Sequence, residues 1–195
     1  MTTRDWMDQS TRIFLDALSG LSDRDLKAST HLPGWSRRHL VAHVHFNAEA
    51  LRRLLTWART GMETPMYASM DQRNAEIERG ATLRANDLRD LVEGSAKALA
   101  DEMDAMPSEA WSHEVVDAKR RKIPATEIPW MRAREVAVHG VDLDAGIRFD
   151  DLPADLIAEL CIDVVRKRAS GDEGPALAEW LTGRTRHAPK LGPWL

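Results

Sequence analysis

Cysteine is almost absent from this sequence. Cys161 is the single cysteine among 195 residues, so an intrachain disulfide is excluded and a reducing compartment is the simpler assumption. It lies in the apolar run 156–162, where we expect a buried small hydrophobic side chain and not a nucleophile. A chain of this length can bury a core without disulfides, as one domain or as one domain with a modest C-terminal extension.

Long apolar segments and an excess of positive charge are also missing. No run approaches the roughly 20 apolar residues of a membrane-spanning helix, and residues 1–6 lack the apolar core of a signal peptide. The net charge is −4, with acidic residues mixed among the arginines. This pattern argues against nucleic acid or an anionic membrane as a partner, and we expect a cytoplasmic protein.

The sequence instead carries amphipathic helical periodicity along most of its length. Residues 111–124 are the exception and predict two short extended pieces joined by a basic turn. Long amphipathic helices with short connections predict a mainly all-α protein built as a four-helix bundle with additions. The predicted helices cover about 4–18, 36–59, 71–79, 84–106, 126–145, 153–168 and 175–181.

Glu135 and His139 are four residues apart on one predicted helix, so their side chains emerge on the same face one turn apart. The face also carries apolar residues, which places Glu135 toward the core, where an unpaired carboxylate is costly. Either a metal cation or an arginine partner would offset that cost. Asp142 could orient a ligand or lie at the surface, and the spacing does not decide between them.

His43 lies on the second long predicted helix, and a lone inward histidine is more often a hydrogen-bonded core residue than a ligand. An adjacent bundle helix could nevertheless aim it at Glu135 and His139. Two imidazoles and one carboxylate leave a fourth position open, as catalytic zinc sites require, although Fe(II) or Mn(II) would suit the set nearly as well. His45 competes with His43, because two residues along a helix face in different directions and both cannot contact one metal.

Four stretches of the sequence resemble the mycothiol-dependent maleylpyruvate isomerases of the DinB-like metal-binding superfamily. The histidine and glutamate stretches are Gly34–Val44 and Trp130–His139. They occur throughout that superfamily, so they indicate the fold and a metal site more than the substrate. Two less generic stretches indicate the isomerase branch of the superfamily. They are Glu63–Tyr67, followed by Arg73 and Asn74, and Ala110–Val115.

The resemblance implies a DinB-like four-helix bundle followed by a smaller α/β domain. The part of the chain after Pro153 is short for that domain, so we expect a bundle at 1–150 and a short, truncated α/β extension at 151–195. The family's metal ligands fall on the positions of His43, Glu135 and His139, which favours His43 over His45. The implied cofactors are a divalent metal, with Zn²⁺ as first choice, and a low-molecular-weight thiol, with mycothiol as first choice.

The implied reaction is the cis–trans isomerisation of maleylpyruvate to fumarylpyruvate, a step of the gentisate pathway of aromatic degradation. A metal-activated thiolate adds to the double bond, the new single bond rotates, and elimination gives the trans isomer. The dicarboxylate substrate suits arginine forks, and the catalytic candidates are Arg73 and Arg184, with Arg186 a competitor for the latter. Asn47 and Tyr67 are the candidates for binding the cofactor.

Other functions fit the same ligand set. A metal-dependent thiol S-transferase would use the same thiolate, and a non-enzymatic module would bind metal or thiol without turnover. A purely structural bundle would bind no metal. We expect small-molecule partners and a monomer or homodimer.

Overall fold

A computed structural model describes residues 1–192 of the chain. Within that range the chain is mainly helical, as the sequence predicts, with one antiparallel pair of short strands. The helices are α1 Thr3–Ser19, α2 Arg37–Thr60, α3 Met70–Ala81, α4 Ala85–Asp104, α5 Ile128–Asp142, α6 Ala154–Ala169 and α7 Gly174–Leu181. The strands are β1 Glu114–Val116 and β2 Lys122–Pro124.

Four of these helices, α1, α2, α4 and α5, form the predicted bundle. Helix α2 packs against both α4 and α5, and α1 packs against the same two helices, so the four close around one core. Their apolar stripes supply the buried side chains at its centre, because each amphipathic helix must bury one face. Phe14, Leu40, Leu51, Leu88 and Val136 are among them. Helix α3 packs on the outside of α2.

The ends of α2 follow from local chemistry. Ser36 caps its N-terminus in a reciprocal arrangement with His39, whose Nδ1 accepts from the Ser36 backbone N–H at 3.2 Å. Gly61 ends the helix with φ +73°, a conformation that glycine adopts without strain. Between these residues α2 runs for 24 residues, long enough to carry His43 and Asn47 on one face.

The connection before α5 is the predicted pair of extended pieces. Strands β1 and β2 pair with Val115 opposite Ile123. Asp117 organises the basic turn between them, since its carboxylate accepts from the backbone N–H groups of Lys119 and Arg121 and from the Arg121 side chain. Pro129 occupies the first turn of α5, where its missing N–H has no intrahelical role.

The chain divides into two compact units, Met1–Asp151 and a second unit that begins at Leu152. Across residues 152–192 the second unit contains α6 and α7 and no strand, so the α/β character expected of the extension is absent there. Its last three positions, 193–195, lie outside the described residues. The prediction that Cys161 is buried is wrong, because α6 turns this side chain outward into solvent.

Within residues 1–192, no helix combines the length and the apolar character that crossing a membrane requires.

Candidate metal centre

His43, Glu135 and His139 meet between α2 and α5. Their candidate ligand atoms all lie within 4.8 Å of one another. Oε1 of Glu135 is 2.6 Å from Nε2 of His43 and 3.5 Å from Nε2 of His139. The two imidazole rings are edge to face with centroids 4.9 Å apart. The pair predicted from i, i+4 spacing and the histidine predicted from the neighbouring helix therefore occupy one site.

His139 is oriented by the last turn of α5. Its Nδ1 lies 2.9 Å from Oδ2 of Asp142, so Nε2 is directed toward Glu135. Burial lowers the pKa of His139, but the hydrogen bonds with Asp142 and Glu135 outweigh burial and raise it to about 9. Without a metal the ring is therefore protonated at neutral pH. Asp142 orients a candidate ligand, which was one of the two roles that the spacing left open.

His43 is oriented by an arginine from α3. The Arg73 guanidinium lies 3.1 Å from Nδ1 of His43. A guanidinium can only donate, so Nδ1 accepts and the ring proton is on Nε2, facing Glu135. Burial lowers the pKa of His43, and this outweighs the opposing effect of Glu135, so the ring is neutral. Trp35 packs beside the ring, with centroids 5.2 Å apart.

Glu135 is ionised within this nearly closed site. Burial raises the pKa of its carboxyl, but hydrogen bonds from His139 and His43 outweigh burial and hold the pKa well below its ordinary value. Its side chain is only 12 % exposed. Protonated His139 offsets the charge of this buried carboxylate, and a bound cation would take the place of that proton.

The donor set fits a divalent cation. Two imidazole nitrogens and one carboxylate oxygen converge, and the other ring nitrogen of His139 faces an acceptor, the Asp142 carboxylate. Three protein ligands without a thiolate match catalytic zinc sites, which keep a fourth position open for a ligand. The set contains no feature that selects zinc over Fe(II) or Mn(II).

His45 does not reach the cluster. Its Nδ1 lies 3.1 Å from the carbonyl oxygen of Leu91 on α4, so its ring is on a different side of α2 from His43. This agrees with the helix-face argument that only one of the two histidines can contact the metal.

Arg73 and Tyr67 lie beside each other at the centre. The Arg73 guanidinium carbon is 5.7 Å from the centroid of the Tyr67 ring. Burial raises the pKa of Tyr67, so its hydroxyl is a neutral donor at physiological pH. Asn47, one turn beyond His43 on α2, is also buried. These three predicted residues therefore flank the cluster.

Arg184 lies in the second unit, just after α7. It is exposed, and its guanidinium donates to the carbonyl oxygen of Thr182. Arg186 lies two residues further along and is also exposed. A catalytic role for either arginine stays a prediction.

Sequence reasoning missed one residue beside the cluster, Arg132. It is 1 % exposed, and its guanidinium donates to the carbonyl oxygen of Val44 and to Oδ1 of Asn47. A signal was present, because Arg132 lies three residues before Glu135 and so shares its helix face. An arginine on an inward face is seldom unpaired.

Known proteins similar to this chain match it over the whole four-helix bundle. The family described as "Mycothiol maleylpyruvate isomerase N-terminal domain" matches residues 7–144. Two similar solved structures are the crystal structures of the mycothiol-dependent maleylpyruvate isomerase and of a histidine-to-alanine mutant of it. Each shares 40% sequence identity at a TM-score of 0.83, over 86% of this chain and 70% of the solved chain. A search of curated proteins gave no match.

The match to the family covers most of the chain and includes all three members of the cluster. The resemblance seen in the sequence is thereby confirmed. With its bundle, its inward-facing cluster and this match, the chain belongs to the family of the mycothiol maleylpyruvate isomerase N-terminal domain.

Proposed function

We propose that this protein is a metal- and thiol-dependent cis–trans isomerase that converts maleylpyruvate to fumarylpyruvate. The observation that carries the proposal is the cluster of His43, Glu135 and His139, in a chain that belongs to this family. The cofactors proposed are mycothiol and one divalent cation, with Zn²⁺ as first choice.

Within residues 1–151 the centre has no cysteine that could serve as a thiolate nucleophile. Cys161, the single cysteine of the sequence, lies on α6 in the second unit. A cation on these ligands would lower the pKa of a bound thiol, and the thiolate would supply the addition and elimination that let the double bond rotate. His43, Glu135 and His139 are the proposed ligands.

His139 is positioned for that role by its outer partner. Asp142 holds His139 so that Nε2 faces inward. If Nε2 of His43 held a metal, the ring proton would be on Nδ1, which could then no longer accept from Arg73. The Arg73 guanidinium would then be available to a carboxylate of the substrate, which it could bind as a fork.

Tyr67 and Asn47 supply neutral hydrogen-bond donors beside the cluster. Such donors stabilise negative charge without bringing a charge of their own. We propose that they bind the thiol cofactor, and that Arg184 is a catalytic residue that acts on the substrate. The protein is proposed to work in the cytoplasm as a monomer or homodimer, where low-molecular-weight thiols are kept reduced.

The test is a turnover assay on the zinc-loaded full chain with maleylpyruvate and a panel of thiols. Loss of the cis-enone absorbance that depends on both the metal and the thiol supports the proposal, with mycothiol the most effective. Absence of thiol-dependent loss with every thiol contradicts it. Conjugation of thiol to other electrophiles, in place of isomerisation, would identify an S-transferase.

A further inference from the structure

Arg132 is a buried cation that the proposed reaction leaves unassigned. It is 1 % exposed on α5, and its NH1 donates to the carbonyl oxygen of Val44 at 2.7 Å and to Oδ1 of Asn47 at 2.9 Å. Burial lowers its pKa to about 10, so the side chain is still charged at neutral pH. Placing a charged group in the bundle interior is costly, and the two contacts to α2 account for its position.

Arg132 also decides which way the Asn47 amide points. A guanidinium has no acceptor, so the atom that faces it is Oδ1 and the amide nitrogen faces away. Asn47 is only 6 % exposed, and among residues 1–192 nothing hydrogen-bonds this nitrogen. This nitrogen is not one of the fully buried side-chain atoms that lack a partner, so it keeps enough access to donate to a molecule bound beside it.

The unpartnered nitrogen lies beside the metal centre. Asn47 is one turn after His43 on α2, so the two side chains share a face. Arg132 is three residues before Glu135 on α5 and so shares the face that carries the carboxylate. The two residues thus connect the same pair of helices that builds the metal cluster.

We propose that Arg132 is a positioning residue, which locks the Asn47 amide so that its N–H group donates to a carboxylate or carbonyl oxygen of a ligand bound at the metal centre. The proposal rests on the proposed function for the choice of ligand. That oxygen could belong to the dicarboxylate substrate or to the thiol cofactor, and the experiment separates these sources.

The direct test is the ¹H–¹⁵N signal of the Asn47 side-chain amide in the zinc-loaded full chain. Maleate, an unreactive cis-dicarboxylate, is added in one titration and mycothiol in another. We expect one of them to shift this signal in the wild type, which identifies the source of the oxygen. We expect the shift to be lost in Arg132→Met. A signal that neither ligand moves, or an equal shift in Arg132→Met, overturns the proposal.

Asn47→Asp provides a second test that does not depend on Arg132→Met folding. The aspartate keeps an acceptor toward Arg132 but removes the N–H donor, so the melting temperature should equal or exceed that of the wild type. The affinity for the ligand identified above should fall about tenfold or more. Unchanged affinity in Asn47→Asp overturns the proposal.

A matched control is Arg52→Met, which removes an arginine of α2 that pairs with Glu49 and Glu102 away from the cluster. It should leave the ligand affinity within about twofold of wild type.

A double-mutant cycle tests whether Arg132 acts through Asn47. The variant that combines Asn47→Leu with Arg132→Met should lose no more ligand affinity than either single variant. Additive losses of affinity contradict the proposal. A wild type that shows the amide shift but no turnover contradicts the proposed function alone.

Discussion

At the metal centre each side chain sets the protonation state of its neighbours. Glu135 is ionised because two imidazoles donate toward it, and His139 is protonated because Glu135 and Asp142 both face it. His43 is neutral because it is buried and because Arg73 donates to its second nitrogen. A divalent cation would replace the protons that now lie between these three residues.

Single substitutions of the proposed ligands should abolish metal binding. We expect His43→Ala, Glu135→Ala and His139→Ala each to weaken zinc binding at least about 100-fold, because a ligand contributes more than the outer partners that orient it. Isomerase activity should fall with the zinc content. Elemental analysis and turnover of the purified variants measure both quantities.

His45→Ala is the matched control for these substitutions. Its ring contacts α4 through the Leu91 carbonyl oxygen, so zinc content should stay at the wild-type value and turnover within about threefold. Equal losses in His45→Ala and His43→Ala would show that the assignment of helix faces is wrong.

The metal-free protein should lose stability as the pH rises through the pKa of His139. Folding raises this pKa from its ordinary value of 6.5 to about 9, so the contribution is fully present below about pH 6.5 and is lost as the pH passes about 9. Chelator-treated protein should therefore show a melting temperature that decreases over this window. In His139→Gln the decrease should be absent, and a slope equal to that of the wild type would contradict the assignment.

Zinc binding should displace the same proton. Calorimetry at about pH 7.5 in buffers of different ionisation enthalpy should detect release of about one proton per zinc. The release should disappear above about pH 10, where His139 is already neutral. Proton release that does not change with pH would contradict a raised pKa of His139.

At the scale of elements, α3 carries Arg73 and is held against α2 by a close approach at Gly80. A Cβ at Gly80 would lie 2.7 Å from the Cβ of Ala42 and 3.3 Å from Cε2 of Phe46. The small side chain therefore lets α3 pack near enough for Arg73 to reach His43. The register of α3 on α2 is one determinant of the metal centre.

Gly80→Ala should force the two helices apart. We expect a loss of about 1–3 kcal/mol in the free energy of unfolding, as is usual for overpacked contacts, together with reduced turnover as Arg73 is displaced. Urea denaturation and steady-state kinetics measure the two effects.

Gly94→Ala on α4 is the control for Gly80→Ala. No heavy atom lies within 4 Å of its added Cβ, so this change should stabilise the protein by about 0.5–1 kcal/mol through helix propensity. If both glycine substitutions behave alike, close packing at Gly80 is not what positions α3.

At the scale of the whole molecule, the metal cluster and Arg184 belong to different compact units. The first unit contains the bundle and every proposed ligand. The second is α6 and α7, with an ion pair between Arg168 and Glu173 in the connection. Metal binding should therefore be a property of the first unit. Substitutions in the second unit should change turnover and not metal binding.

Arg184→Ala should separate these two properties. Its side chain is exposed and contacts a local carbonyl oxygen, so zinc content and melting temperature should match the wild type. If Arg184 binds the substrate, turnover should fall by at least about tenfold. Arg186→Ala is the comparison, and a loss at Arg186 alone would transfer the role to that residue.

Local sequence patterns are enough to predict the helices and the Glu135–His139 pair. Helical periodicity and i, i+4 spacing act within one or two turns, so they predict the bundle helices and place the two ligands on one face without knowledge of the fold. The same local reasoning predicts the hairpin at 111–124, because extended pieces and a turn are short-range features. It also names His43 and His45 as the candidates for the ligand on α2.

Which helix faces meet depends on the packing of the whole fold. The packing of α2 on α5 determines that His43 and not His45 faces α5. It also brings Arg132 to Asn47, which is 85 residues away in the sequence. The exposure of Cys161 and the absence of strands over residues 152–192 were likewise not predictable from a local apolar run or a resemblance. The physical reason is that periodicity identifies which side of a helix is apolar, whereas burial and contact depend on distant segments that cover that side.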